Sequence, residues 1–325
     1  MTRETAHESS SEASRTVTAD SVPTTMQAIR LHAPGGIDSL RLDTIDAPSP
    51  RDGEVLIDVH AAAITRDELD WPTGRLPAIP SYEVSGVVVA VTPGVDSVAV
   101  GDAVFALTHF DRDGAAAEYI ALRADIVALK PRTLTDAESA ALPLAGLSAW
   151  QGLFDHGALQ PGQRVLIHGA AGGVGHLAVQ LAHRHGAYVI GTASAAGAAA
   201  ARSFGADEVL DAGTSFATTV DAVDLVFDTV GGGRLAHSAV VVRPGGRLVS
   251  IAEEVPAGSE GSGILTSYFV VEPNRDQLVE LARMADRGAL HPDIDSTFTL
   301  AESPAAFERS MATGKHGKVV LRIHD

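Results

Sequence analysis

Four glycines fall within seven residues at Gly169–Gly175, inside the stretch His168–Ala182, HGAAGGVGHLAVQLA. Glycine backbone freedom costs entropy on folding, so this density implies backbone that must approach something closely. The strand-like run RVLIH precedes the glycines. Val174, Leu177, Ala178, Leu181 and Ala182 follow at the spacing of one buried helix face. Strand, glycine turn and helix in that order form a cradle for a dinucleotide pyrophosphate. The fingerprint reads Ala170-x-Gly172-x-x-Gly175, with alanine in the first glycine position. Gly172 admits the pyrophosphate, and Gly175 lets the helix pack on the strand. Gly173 and Val174 lie between them at the helix N-terminus, where free N–H groups and a positive dipole end suit phosphate. An ordinary tight turn is the competing explanation, and the βαβ context argues against it. No GxxxxGK[ST] sequence for a nucleotide triphosphate is present.

An acidic residue about 20 positions past the glycines would hold the ribose 2′-hydroxyl of NAD. The corresponding GTASAAGAAAARSFG, residues 191–205, contains no Asp or Glu. Thr192 and Ser194 end that strand. Ser194 could donate to a 2′-phosphate and Arg202 could neutralise it; alternatively Ser194 caps the helix and Arg202 is solvated. The expected cofactor is therefore NADP(H) in preference to NAD(H).

The rest of the composition narrows the partners. The 325 residues carry 24 Lys and Arg against 41 Asp and Glu, a formal charge of −17. That excess repels nucleic acid and anionic lipid, so neither is an expected partner. There is no cysteine, which removes disulfides and every thiolate metal site and is compatible with a cytoplasmic protein. None of the 13 histidines shows a metal-ligand spacing, so no metal is expected. The N-terminus shows no signal-peptide core, and no apolar run is long enough to span a membrane.

The elements that must position the glycine turn are also legible. Residues 1–25, rich in Ser, Thr and Glu, have almost nothing to bury and are expected to be a disordered tail. From Met26 to about Leu144, short β-branched runs such as EVLIDVHAAAI and YEVSGVVVAV alternate with Gly/Pro turns, predicting a compact β-rich domain. DAESAALP and LAGLSAWQGLFDHG then read as helices. From Arg164 the texture becomes alternating strands and helices. RVLIH, AYVIGT, EVLD, DLVFDT, GRLVSI and SYFVVEP are strands too apolar for one solvated face, which predicts a parallel doubly wound sheet. Two further helices and the strand KVVLRI close the chain.

HGAAGGVG, GTASA, FGADEVLD, DLVFDTVGG, RPGGRLVSI and GKHGKVVLRI together resemble the medium-chain dehydrogenase/reductase superfamily. Within it the chain is similar to the zinc-independent quinone oxidoreductase group, whose lens member is zeta-crystallin. The resemblance runs from about Met26 to the C-terminus. It implies an α/β fold, a Rossmann doubly wound parallel sheet plus a GroES-like β-rich catalytic domain, with the active site in the cleft between them. The implied division is a catalytic part at 26–144, a dinucleotide-binding part at 145–272, and a return to the catalytic part at 273–325.

Where zinc-dependent relatives carry a Cys this chain has Thr65, and where they carry Gly-His-Glu it reads PSYEVSG, with Tyr82 at the histidine. Without a Lewis acid, reduction of a quinone or an α,β-unsaturated carbonyl suits the site, because the accepted charge delocalises. By the resemblance, Thr65 faces the nicotinamide and Tyr82 either donates to a substrate oxygen or only walls the cleft. Arg66, Asp67 and Glu68 replace the family's Pro-Val-Asp and read as a surface ion network. Ser148 takes the place of a Thr beside the nicotinamide. Asp228, Val230 and Ser250 end strands at the crevice, Phe269 and Val271 pass the ring, and Gly317 and Lys318 approach the cofactor. Lys318 reads equally well as a solvated strand end. The family further implies a homodimer joined through the edge strand 267–273. GSEGSGILTS, residues 258–267, reads as a mobile lid, and WPTGRLPAIP, residues 71–80, as a second loop over the cleft. Two alternatives stay open: a pathway-specific ketone or enone reductase in biosynthesis, and a non-catalytic dinucleotide-binding protein.

Overall fold

The computed structural model describes residues 23–34, 36–71, 74–259 and 263–324. The expected tail lies largely outside these, but Thr25 already opens the first strand, β1 (Thr25–Leu31). It pairs antiparallel with β2 (Leu40–Asp46), closing the edge of the N-terminal half.

Eleven residues of β3 (Glu54–Ile64) organise that half. The first part pairs with β6 (Tyr119–Arg123) and the second with β15 (Lys318–Arg322), while β4 (Glu83–Val91) runs along its other side. Two register shifts bend β3 against β4, and a Cβ on Gly86 would meet the Asp58 carbonyl at 2.0 Å, so only glycine allows that approach. The sheet continues through β5 (Ala103–Leu107) to β7 (Ala128–Leu129), and through β15 to β14 (Ile294–Thr299). Helix α7 (Ser303–Met311) makes the parallel crossover from β14 to β15. The polar IDSTFT of β14 gave no strand signal, because its Asp, Ser and Thr positions obscure the alternation.

Capped by a Thr135–Glu138 box, α1 (Asp136–Ala140) leads into α2 (Pro143–Trp150) across the expected boundary at 144/145. The helix expected to run on through DHG instead widens into a π-helical turn at Gln151–His156. Gly152 there packs so closely on Phe227 that a Cβ would sit 2.3 Å from the ring.

The C-terminal half is the predicted parallel sheet, in order β10-β9-β8-β11-β12-β13. The strands are β8 (Arg164–His168), β9 (Tyr188–Ala193), β10 (Glu208–Asp211), β11 (Val223–Asp228), β12 (Val242–Ser250) and β13 (Leu265–Tyr268). Helices α3 (Gly175–Arg184) and α4 (Ala198–Ser203) carry the first two crossovers, α5 (Gly232–Ser238) the next, and α6 (Arg275–Asp286) returns the chain. The order places β8 and β11 side by side at the point where the winding reverses, which is where such sheets open a ligand crevice. The edge strand is shorter than expected. It ends at Tyr268, beyond which Phe269 and Val271 turn inward while Val270 stays exposed. The lid expected at 258–267 lies partly outside the described residues, and so does the loop expected at 71–80.

Candidate active site

β8 delivers the chain to the glycine turn with its last side chain, His168, fully buried. His168 Nδ1 lies 3.2 Å from Thr192 Oγ1 and Nε2 lies 3.0 Å from Ser238 Oγ, and burial pushes its pKa down to about 3. Thr192 also accepts the Gly169 N–H at 3.3 Å, and Thr229 Oγ1 donates to the His168 carbonyl at 2.8 Å. Gly169 sits at φ +75°, and a Cβ on Gly175 would stand 2.0 Å from the Gly169 carbonyl oxygen. Gly175 therefore performs the helix-on-strand packing expected of it. Ala170 is wholly buried, while Gly172, Gly173 and Val174 are half-buried at the mouth of α3. A Cβ on Gly172 would meet only the Gly169 carbonyl, at 3.1 Å, so its missing side chain leaves room on the open side. This cradle fits a dinucleotide pyrophosphate on geometry alone.

The neighbouring crevice residues divide into two kinds. Asp228 and Ser250 are fully buried and bound to each other, Ser250 Oγ donating to Asp228 Oδ2 at 3.0 Å. Asp228 also receives the Gly231 N–H at 3.0 Å, and burial raises its pKa. Their side chains shape the turns that follow β11 and β12. Val230 is exposed, and Ser148 is buried in α2. Phe269 stacks on His156 with ring centres 4.2 Å apart. Ser194 is exposed just past β9, with its Oγ accepting the Gly197 N–H at 3.3 Å. Arg202 lies in the last turn of α4, where its guanidinium reaches the Ala198 carbonyl at 3.5 Å. Among the described residues no hydrogen bond joins Ser194 and Arg202.

Facing the glycine turn, three buried ionisable side chains meet where β3 ends, β4 begins and β15 begins. Lys318 is 4% exposed, and Glu68 and Glu83 are each 0% exposed. The Lys318 ammonium pairs with Glu83 Oε1 and donates to Thr65 Oγ1 at 3.3 Å. Glu83 Oε2 accepts the Leu144 N–H at 2.8 Å, which ties the start of α2 to this floor. Glu68 accepts N–H bonds from Thr65 and Ser81, both at 3.1 Å, and burial lifts its pKa to about 8. It is thus a buried brace, not part of the surface network expected for it; Arg66 and Asp67 are exposed. Lys318 is likewise no solvated strand end. Its Cδ would lie 3.3 Å from a Cβ on Gly173, directly beneath the glycine turn.

Two backbone features hold this junction. Ser81 adopts φ +67°, a glycine-like conformation that its bond to Glu68 secures. Gly317 at φ +58° lies so close to the Asp293 carbonyl that a Cβ would be 2.1 Å away, and its N–H donates to the Ala171 carbonyl at 3.0 Å. Next to Ser81, Tyr82 is fully buried in an aromatic cluster, 5.5 Å from Trp71 and 5.2 Å from Phe110 between ring centres. Its hydroxyl makes no well-formed hydrogen bond among the described residues, although the Arg75 side chain lies near enough to oppose the shift; burial, followed by the nearby Glu68 charge, pushes its pKa up to about 12. Arg75 holds the Phe110 and Arg112 carbonyls at 3.3 and 2.6 Å, closing the cluster from the side.

Glu68, Glu83 and His176 carry more of this geometry than sequence reading assigned them. A lone Glu in YEVSGVVVAV and a lone Lys in GKVVLRI, each amid apolar strand residues, were the available signal that the two pair in the interior.

A doubly wound sheet with a phosphate-cradling turn, joined to a β-rich half that buries a hydroxyl-bearing floor beneath it, defines a nicotinamide-dependent oxidoreductase of two-part design. Residues 51–132 match the family described as alcohol dehydrogenase GroES-like domain, and residues 204–321 match zinc-binding dehydrogenase. The chain is 35% identical to 2-methylene-furan-3-one reductase of Solanum lycopersicum, covering 94% of this chain and 82% of that one. It is also 35% identical to the NADPH-dependent alkenal/one oxidoreductase, chloroplastic, of Arabidopsis thaliana, covering 96% and 83%. The quinone oxidoreductase from Coxiella burnetii superposes with a TM-score of 0.85 at 29% identity over 92% of this chain and 100% of that chain. The chain belongs to the medium-chain dehydrogenase/reductase superfamily, in its zinc-independent, quinone-oxidoreductase-like group. Among the described residues no group of three or more His, Asp or Glu could hold a metal, and no helix is long and apolar enough to cross a membrane.

Proposed function

We propose that this chain uses NADPH to reduce the activated double bond of an α,β-unsaturated carbonyl, or a quinone, without a metal. One observation carries the reading. The Lys318 ammonium donates to Thr65 Oγ1 beside the glycine turn, so the hydroxyl proton of Thr65 is free for another oxygen. When bound, the nicotinamide supplies the hydride. A conjugated acceptor gathers negative charge on its oxygen as it is reduced, and a donor already fixed in position stabilises that charge. Thr65 is that donor, held in place by Glu68 through its backbone and by Lys318 through its hydroxyl. Tyr82 is the second candidate: its buried hydroxyl lacks a partner among the described residues, and an acceptor oxygen reaching it would satisfy it. Trp71, Tyr82 and Phe110 keep water from this side of the cleft.

The names of the tomato, Arabidopsis and Coxiella relatives support the same substrate class. Preference for NADPH rests on the acid-free stretch 191–205, on exposed Ser194 and on Arg202 in the last turn of α4. The exposed Leu265, Tyr268 and Val270 at the sheet edge support a homodimer, and the cysteine-free chain suits a reducing cytoplasm.

NADPH deuterated at the transferable position, incubated with a simple conjugated ketone, tests the reaction. Deuterium on the β-carbon of the product is expected. Unlabelled ketone with unconsumed NADPH would sink the enone reading, and a parallel quinone assay would then decide the other. Light scattering at the single-chain mass of 33.6 kDa would overturn the dimer.

A further inference from the structure

His176 is fully buried in the first turn of α3, one residue beyond the glycine turn. Both of its ring nitrogens are engaged. Nδ1 lies 2.9 Å from the Gly172 carbonyl oxygen, and Nε2 lies 3.0 Å from the backbone nitrogen of Asp293. A carbonyl can only accept and an N–H can only donate, so the ring is fixed as the neutral tautomer with its proton on Nδ1. Burial agrees, holding the pKa down to about 4.

The two partners belong to different halves of the molecule. Gly172 is the cradle glycine, while Asp293 precedes β14 in the catalytic half. The Asp293 carbonyl in turn accepts the Lys318 N–H at 2.8 Å, in the residue whose ammonium holds Thr65. Further along the same helix face, Gln180 exchanges two 2.9 Å bonds with the backbone of His291, and Arg184 reaches the Gly288 carbonyl at 3.4 Å. Residues 176, 180 and 184 follow at four-residue steps, so one stripe of α3 is sewn to the segment 288–293.

We infer that His176 is a positioning residue that aims the glycine turn at the dinucleotide phosphates and sets the turn against the strand carrying Lys318. The inference rests on the cofactor reading above. Gly172 O also accepts the His176 backbone N–H, at 3.2 Å, so one residue clamps this carbonyl twice. A trans peptide directs its C=O and the following N–H oppositely. Holding the Gly172 carbonyl toward the helix therefore directs the Gly173 N–H out of the turn, where an anion would meet it. The same ring, through Asp293 and Lys318, links that aim to the hydroxyl of Thr65.

The experiment is direct NADPH titration by fluorescence, with steady-state kinetics on a conjugated ketone, for the full-length chain and His176→Ala, His176→Gln and His176→Asn. Asparagine keeps a donor where Nδ1 stands; glutamine keeps an acceptor nearer Nε2. The Ala and Gln variants should raise the NADPH dissociation constant and KM about tenfold, the loss of one hydrogen bond, with the KM for the ketone unchanged. His176→Asn should restore binding to within about threefold yet turn over about tenfold more slowly, because the tie to Asp293 is gone. Unchanged NADPH binding in His176→Ala overturns the inference alone. An Asn variant as weak as Ala, with thermal midpoints lowered equally in all three, shows mere packing and also overturns it. A wild-type chain that binds no NADPH overturns the cofactor reading and this role with it.

Discussion

On one side of the cleft, Gly169–Gly175 offers backbone and no charge, and its tightest approach is the Gly169 carbonyl oxygen, 2.0 Å from where a Cβ on Gly175 would stand. On the other, Glu68, Glu83 and Lys318 are buried together under Thr65. The first side works by what is missing, so its specificity is steric. The second works by opposite charges in a dry interior, where each partner is tolerable only because of the other. The two should therefore fail differently: the turn by added atoms, the floor by removed charge.

The largest effect should follow Lys318→Met. It leaves Glu83 buried and unpaired, and removing one partner of such a pair costs about 3–5 kcal/mol. Urea denaturation at neutral pH measures it. Lys318→Met with Glu83→Leu should recover part of the loss despite freeing the Leu144 N–H. A Lys318→Met chain as stable as wild type would break the comparison.

Gly175→Ala comes next, since its Cβ would stand 2.0 Å from the Gly169 carbonyl. Overpacking of this kind costs up to about 3 kcal/mol and should abolish NADPH binding as well. Gly172→Ala sharpens the contrast. Its Cβ meets protein only at 3.1 Å, so stability should hold while NADPH affinity falls about a hundredfold, read by titration.

The turn was legible because its signal is local: strand, glycines and helix are contiguous, and His168–Ala182 carries the whole pattern. The parallel sheet was legible for the same reason, through runs such as RVLIH and DLVFDT. The floor was not. Glu68 looked like part of an exposed TRDE string, and only its long-range bonds to Ser81 and the packing of β4 and β15 bury it. Lys318 and Glu83 are 235 residues apart in sequence. Edge residues 269–273 were read as strand from their apolarity, whereas that apolarity serves Phe269 stacking on His156.

Glu68 gives the floor a pH signature that the turn lacks. Its folded pKa is raised to about 8, chiefly by burial, from an ordinary value of 4.5. Below pH 4.5 both states are protonated and nothing is lost. Above it the unfolded chain releases the proton while the folded one retains it, so stability falls as pH rises, until the folded group ionises near 8. The decline from Glu68 should be about 2 kcal/mol between pH 5.5 and 7. Glu68→Gln should flatten that slope even if its absolute stability is lower. An identical slope in both chains would show that Glu68 ionises normally.

The smallest effect belongs to Tyr82, where the two sides of the comparison meet. Its hydroxyl is buried without a partner among the described residues, an arrangement that costs stability in the ligand-free chain. Tyr82→Phe keeps the ring against Trp71 and Phe110 and removes only the orphaned group, so it should stabilise the fold by about 1 kcal/mol. If the hydroxyl finds its partner in the acceptor oxygen, turnover should fall about tenfold at the same time, a loss of the size expected for one donor. Stability and activity would then move in opposite directions, which a packing role cannot produce. Raised stability with unchanged turnover would make Tyr82 a wall of the cleft, leaving Thr65 alone to meet the charge that develops there.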